Sequence, residues 1–196
     1  MTTLFIASQV LLWVGLAVMA VLVAALARQV GVLHERIAPA GALTLHQSLK
    51  AGDVAPEMRL ETLGGGTVTI GGKRPGRSQL LFFLSPDCPL CKSMLPVVKS
   101  AAGAERGWLD IVLASDGGAP DHQRMIAAEG LGGFDYVLSE ALGRSLGVSK
   151  LPYAVLIAED GRIASLGLVN TREHLESLFE AKERGVTSIQ EYLARR

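Results

Sequence analysis

Cysteine is scarce in this chain: Cys88 and Cys91 are the only two among 196 residues. A structural zinc centre normally draws four ligands from two such pairs. No second pair exists, and the histidines, His34, His46, His122 and His174, are widely scattered. Net charge is lacking too, with 19 basic residues against 19 acidic ones. The basic side chains are dispersed, so nothing points to nucleic acid. Internal repeats and low-complexity tracts are missing. Charge is absent altogether from Leu4 to Ala27, which reads LFIASQVLLWVGLAVMAVLVAALA.

As a helix that uncharged stretch would be about 36 Å long, enough to cross a hydrocarbon core of about 30 Å with some tilt. A cleaved signal peptide is the rival reading. Against it, no Lys or Arg precedes the stretch and the apolar run is too long for an ordinary signal core. The Ala24-Ala25-Leu26-Ala27 end leaves cleavage open. The expectation is an anchor over residues 1–28, in contact with the lipid bilayer through residues 4–27. Arg28 and Arg36 follow the span, and by charge counting alone the remainder would stay cytoplasmic. That bias is small: two arginines against Glu35 and a free amino terminus.

What the chain does have is a Cys-x-x-Cys in a telling place. The apolar run Gln79-Leu80-Leu81-Phe82-Phe83-Leu84 reads as a buried strand, and a helical pattern begins at Pro89. Cys88 then sits at a helix N-terminus, where unpaired N–H groups and the dipole favour a thiolate. Pro89 falls at the first helical position, where its missing N–H costs nothing. Cys91, one turn on, lies within reach of a mixed disulfide at Cys88. This setting argues for a dithiol switch over two inert cysteines at chance spacing.

Residues 29–50 read as a juxtamembrane connector, residues 51–185 as the globular domain and 186–196 as a tail with one more amphipathic piece. Within the domain, Met58–Thr62 and Thr67–Ile70 are two short strands around Gly64-Gly65-Gly66. Pro96 lies inside the helix that starts at Pro89, so a kink is expected. Trp108–Ser115 is a strand, His122–Glu129 a helix stopped by Gly130, and Tyr136–Leu138 a short strand. Ser139 can cap a helix running to about Leu146, with Gly147 as its stop. Leu151-Pro152-Tyr153 leads into a hairpin of Ala154–Ala158 and Arg162–Leu168. Asn170 with Glu173 makes a capping box for a helix to about Arg184, stopped by Gly185.

This order resembles the thioredoxin fold. The implied class is α/β, a central mixed sheet flanked by helices, behind an N-terminal transmembrane helix. The resemblance rests on Cys88 and Cys91 as the redox pair, Pro96 as the kinking proline and Pro152 as the proline before the final hairpin. It implies that Cys88, Cys91 and Pro152 are the catalytic-site residues and that the Pro152 bond is cis. One departure stands out. Thioredoxins carry a buried acid six residues before the first cysteine, and here that position is Phe82. Asp87, beside Cys88, would oppose a thiolate unless it points outward, and Lys92 would offset it.

Three further segments are more specific: Arg28–Leu43 (RQVGVLHERIAPAGAL), Ser85–Lys92 (SPDCPLCK) and Leu168–Ala181 (LVNTREHLESLFEA). With the N-terminal span they resemble the MauD family of methylamine utilisation proteins. That resemblance implies a single-pass protein of the inner membrane with its thioredoxin-like domain in the periplasm, against the charge count. It also implies a client, the disulfide-rich small (beta) subunit of methylamine dehydrogenase, and an unidentified redox partner. No cofactor is expected.

Two other functions fit parts of the sequence. Ser85-x-x-Cys88 has the spacing of a peroxiredoxin hydroxyl and cysteine, with Arg144 as a distant guanidinium. A second cysteine only three positions on is atypical of a peroxidase. Copper delivery would use Cys88, Cys91 and a histidine such as His174, although the copper-chaperone relatives carry a C-x-x-x-C that this chain lacks.

Overall fold

The computed structural model describes residues 2–36 and 49–183 of the chain, and the side chains of 6–24 and 49–183. The chain divides into two compact units, residues 1–45 and 46–196. The described residues of the first form one long helix, α1 (Thr2–Arg36). Every side chain from Ile6 to Ala24 on it is exposed. That stretch is long and apolar enough to cross a membrane, as an anchor or as a signal sequence. The helix continues past Arg28 to Arg36, so the expected connector begins as helix. Its remainder from residue 37 to 48 lies outside the described residues, as do Gly185 and the tail.

The second unit opens with a hairpin of β1 (Met58–Glu61) and β2 (Thr67–Ile70), antiparallel. Then follow β3 (Ser78–Phe83), α2 (Pro89–Ala104), β4 (Leu109–Ser115), α3 (Ala119–Glu129) and β5 (Asp135–Leu138). The chain continues with α4 (Glu140–Ser145), β6 (Tyr153–Ile157), β7 (Ile163–Leu168) and α5 (Arg172–Glu183). Five strands form one sheet in the order β5-β4-β3-β6-β7. The middle strand, β3, runs parallel to β4 and antiparallel to β6. All its residues are buried, because both faces of the sheet are covered there. That is why Ser78-Gln79-Leu80-Leu81-Phe82-Phe83 shows no apolar–polar alternation.

The period of two along β3 divides the core in half. Leu80, Phe82 and Leu84 pack with Cys91, Met94, Leu95 and Val98 of α2, and with Leu175 and Leu178 of α5. Leu81 and Phe83 face the other way, toward Leu142 of α4 and Leu146 at its end, and toward Val68 and Ile70 of the hairpin. Both outer strands are covered by loops. The Leu63 N–H donates to the Tyr136 carbonyl (2.8 Å), and Gly52 N–H to that of Ile163 (2.8 Å). Such cover blunts the unpaired edges of a sheet.

Several strand ends shift by one residue from the sequence expectation, and two helix starts differ for a physical reason. Helix α3 starts at Ala119, three residues early, with Pro120 in its first turn, where proline is accepted. Helix α5 is capped by Thr171 and not by Asn170: the His174 N–H donates to Thr171 Oγ1 at 3.3 Å. The reason is that Val169 still belongs to the sheet side, its N–H donating to the Pro152 carbonyl at 3.1 Å. The helix therefore begins one residue later.

Candidate active site

Strand β3 delivers the chain to one end of the sheet, and the segment Ser85-Pro86-Asp87-Cys88 turns it into α2. The turn is closed by its own backbone, with the Cys88 N–H donating to the Ser85 carbonyl at 3.1 Å. Ser85 Oγ accepts the Asp87 N–H at 3.3 Å. Cys88 is the N-cap of α2, with extended backbone, and Pro89 opens the helix. The Cys88 sulfur takes the place of the usual capping oxygen and accepts the Cys91 N–H at 3.1 Å. The Lys92 N–H donates to the Cys88 carbonyl (3.2 Å), the first bond of the helix ladder.

Cys88 and Cys91 are joined as a disulfide, their Cα atoms 5.2 Å apart. The two sulfurs have unequal surroundings. Cys91 is 0 % exposed and packs among Phe82, Leu84 and Met94, whereas Cys88 is half-buried at the rim. Asp87 and Lys92 are both exposed, so both charges are turned to solvent. Phe82 stands 0 % exposed in the same core as Cys91, where the resemblance would place an acid.

Pro152 is brought to the same end of the sheet. Tyr153 pairs with Phe83, so Pro152 lies one residue beyond, alongside the exit that leads to Cys88. The Leu151–Pro152 bond is cis. Pro152 is buried and Leu151 exposed. Tyr153 is half-buried, and burial pushes its phenol pKa up.

Of the residues of the other two readings, Ser85 lies in the turn beside Cys88, but Arg144 and His174 make their bonds elsewhere. Arg144 bonds Glu140 at 2.9 Å on exposed α4, across the sheet from α2. His174 Nδ1 receives the Asn170 N–H (3.3 Å) at the start of α5. Among the described residues no three His, Cys, Asp or Glu side chains cluster as a metal would need. One neighbour of the disulfide loop had no sequence signal: Ser115, at the end of β4, whose hydroxyl reaches the Leu84 carbonyl.

Residues 50–182 match the Redoxin family. The chain is 43 % identical to methylamine utilization protein MauD of Paracoccus denitrificans, over 100 % of this chain and 98 % of that one. It is 46 % identical to the MauD of Methylorubrum extorquens, over 97 % and 93 % of the two chains. Among solved structures, the fold is similar to a putative thiol:disulfide interchange protein DsbE from Chlorobium tepidum, with a TM-score of 0.59 and 21 % identity. That match covers 69 % of this chain and 99 % of the other. StoA from Bacillus subtilis gives a TM-score of 0.55 at 24 % identity, over 64 % and 98 %. These structures support the thioredoxin-like fold. A thioredoxin-like domain carrying a Cys88–Cys91 disulfide, behind an N-terminal apolar helix and alike to these relatives over its full length, places the chain in the MauD family of redoxin-domain proteins.

Proposed function

We propose that this protein is a membrane-anchored thiol–disulfide oxidoreductase or isomerase that assists maturation of the small subunit of methylamine dehydrogenase. The observation that carries the chemistry is the unequal pair: a half-exposed Cys88 on the N-terminus of α2, bonded to a fully buried Cys91. A client sulfur can approach only the first. Helix-end N–H groups, including that of Cys91, stabilise negative charge on Cys88. The client assignment is supported by the name the relatives share, methylamine utilization protein. In this reading residues 1–28 anchor the chain in the inner membrane, 29–50 connect and 51–185 form the periplasmic domain.

In the oxidising direction a client thiolate attacks Cys88 Sγ. The Cys88–Cys91 bond breaks, and Cys91 leaves as a thiolate that takes up a proton. A second client thiolate then attacks the client sulfur of the mixed disulfide and expels Cys88. The client has lost two electrons and the protein holds two thiols, to be reoxidised by a partner that accepts two electrons. Isomerisation uses the first step and its reversal at a different client sulfur. Exposed Leu151, held by the buried Pro152 behind it, borders the approach, where an extended client segment can lie. With Phe82 in place of an acid, the Cys91 proton must be exchanged through water or another group.

The test is the redox potential of the Cys88–Cys91 pair in the full chain in detergent, together with exchange on a scrambled multi-disulfide substrate. A potential of about −120 to −180 mV supports oxidation or isomerisation, and one near about −270 mV indicates a reductant. Cys88→Ser should abolish exchange and stop accumulation of mature small subunit in cells. Cys91→Ser should instead accumulate a mixed disulfide visible on a non-reducing gel. Wild-type protein without exchange activity would overturn the proposal.

A further inference from the structure

The ladder between β3 and β4 runs one rung past β3, the Leu84 N–H donating to the Ala114 carbonyl at 3.0 Å. In a parallel ladder the Leu84 carbonyl would next receive the N–H of the residue at position 116. By then the chain is turning away through Asp116-Gly117, where Gly117 adopts φ +94°. The Ser115 hydroxyl supplies the missing donor. It donates to the Leu84 carbonyl at 2.6 Å, with a longer approach of 3.4 Å to the Asp116 carbonyl.

Two more buried side chains hold this turn. The Asp116 carbonyl lies 2.8 Å from His122 Nε2. A carbonyl only accepts, so Nε2 carries the hydrogen, and in the neutral ring Nδ1 accepts from the Tyr136 hydroxyl at 2.8 Å. Ser115, His122 and Tyr136 are 7 %, 2 % and 1 % exposed. Burial pushes the Tyr136 phenol far above its ordinary range, so it stays protonated and able to donate to His122. A chain of polar contacts from β5 through α3 to β4 therefore runs from Tyr136 to His122 to the Asp116 carbonyl, and the neighbouring Ser115 alone reaches the last carbonyl before Ser85-Pro86-Asp87-Cys88. Apolar side chains would fill this volume without the cost of buried polar atoms. What the polar group adds is direction. Because the Cys88 N–H is tied back to Ser85, the loop follows the Leu84 peptide as one piece.

We propose that Ser115, braced by His122 and Tyr136, is a positioning residue for the Cys88 thiolate, holding the loop so that Cys88 Sγ meets the N-terminal N–H groups of α2. The inference rests on Cys88 being the exchanging thiol. Its test is the pH profile of Cys88 alkylation by iodoacetamide in the reduced full-length protein, for wild type, Ser115→Ala and Ser165→Ala. Ser165 is the matched control: also buried, it makes the same kind of bond, to the Leu178 carbonyl at 2.8 Å, between β7 and α5. Ser115→Ala should raise the titration midpoint by about one unit, read as an about tenfold slower reaction below the midpoint. Ser165→Ala should leave it in place at a similar loss of stability. An unchanged profile in Ser115→Ala, or an equal shift in both variants, overturns the proposal. Should Ser115→Ala fail to fold, Tyr136→Phe decides: a shift in the same direction supports the bracing role, and no shift overturns it. Failure of wild-type protein to exchange thiols would instead overturn the reading on which the inference rests.

Discussion

Cys88 and Cys91 differ in what each can reach, and the side chains around them set the terms. Asp87 is adjacent to Cys88 but exposed, so its negative charge acts through solvent and is screened by salt. Asp87→Asn should lower the Cys88 thiol pKa by roughly half a unit or less, and the difference should vanish at high ionic strength. Alkylation rates across pH, at low and high salt, measure it; a shift that ignores salt would show that the carboxylate acts by a direct bond. Most residues named at this scale were legible in the sequence, because a Cys-x-x-Cys between an apolar run and a helix start has few other meanings. Phe82 was legible too, since counting back along an unbroken strand gives its place. Ser115 was not. A serine closing an apolar strand carries no mark of the carbonyl it will meet 31 residues earlier in the chain.

At the scale of elements, the far end of the sheet from the disulfide is held by an ion-pair group between β4 and the segment before β3. Asp110 accepts from Arg77 Nε at 2.9 Å and from Arg74 Nη2 at 2.9 Å. The Arg77 hydrogen bond, aided by the charges of Arg74 and Arg77 and opposed by burial, holds the Asp110 carboxyl below its usual range. The folded protein thus binds fewer protons than the unfolded chain in acid. The stabilisation is complete above the unfolded value of about 4 and is lost as pH falls through the lower folded value. Asp110→Asn should lower the urea midpoint at neutral pH and flatten its acid dependence, and parallel acid limbs for both proteins would refute this. The end of β2 gives a second prediction. Gly71 has φ +72°, and a Cβ there would lie 2.5 Å from the Pro56 carbonyl oxygen. Its N–H also bonds buried Gln79 Oε1 at 3.0 Å. Gly71→Ala should cost at least about 2 kcal/mol by denaturant titration, from the left-handed backbone and the backbone clash together.

For the whole molecule, the question is which side of the membrane the redox domain occupies. Arg28 and Arg36, which follow the apolar stretch of α1, argue for the cytoplasm, and the proposed function argues for the periplasm. Anchoring in the periplasm predicts that the reduced protein, expressed in intact cells, is labelled at Cys88 by a membrane-impermeant maleimide. It also predicts that alkaline carbonate leaves the chain in the membrane pellet. Labelling only after cell lysis would place the domain in the cytoplasm, and release by carbonate would make α1 a removed signal and not an anchor.

The sequence by itself determined the apolar N-terminal helix, the succession of strands and helices along the chain up to small shifts of boundary, and the pairing of the two cysteines. It could do so because these depend on local periodicity, on proline and glycine and on short spacings, which a linear reading contains. Tertiary structure decided the rest. Thr171 caps α5 in place of Asn170 because Val169 is still bonded to Pro152, a contact made only once the sheet exists. Arg144 is separated from Cys88 because α4 packs on the opposite face of the sheet from α2. His122 meets Tyr136, and Ser115 meets Leu84, because β3, β4 and β5 lie side by side in parallel. Bonds between such distant positions follow from strand register, and register is chosen by the packing of both sheet faces at once.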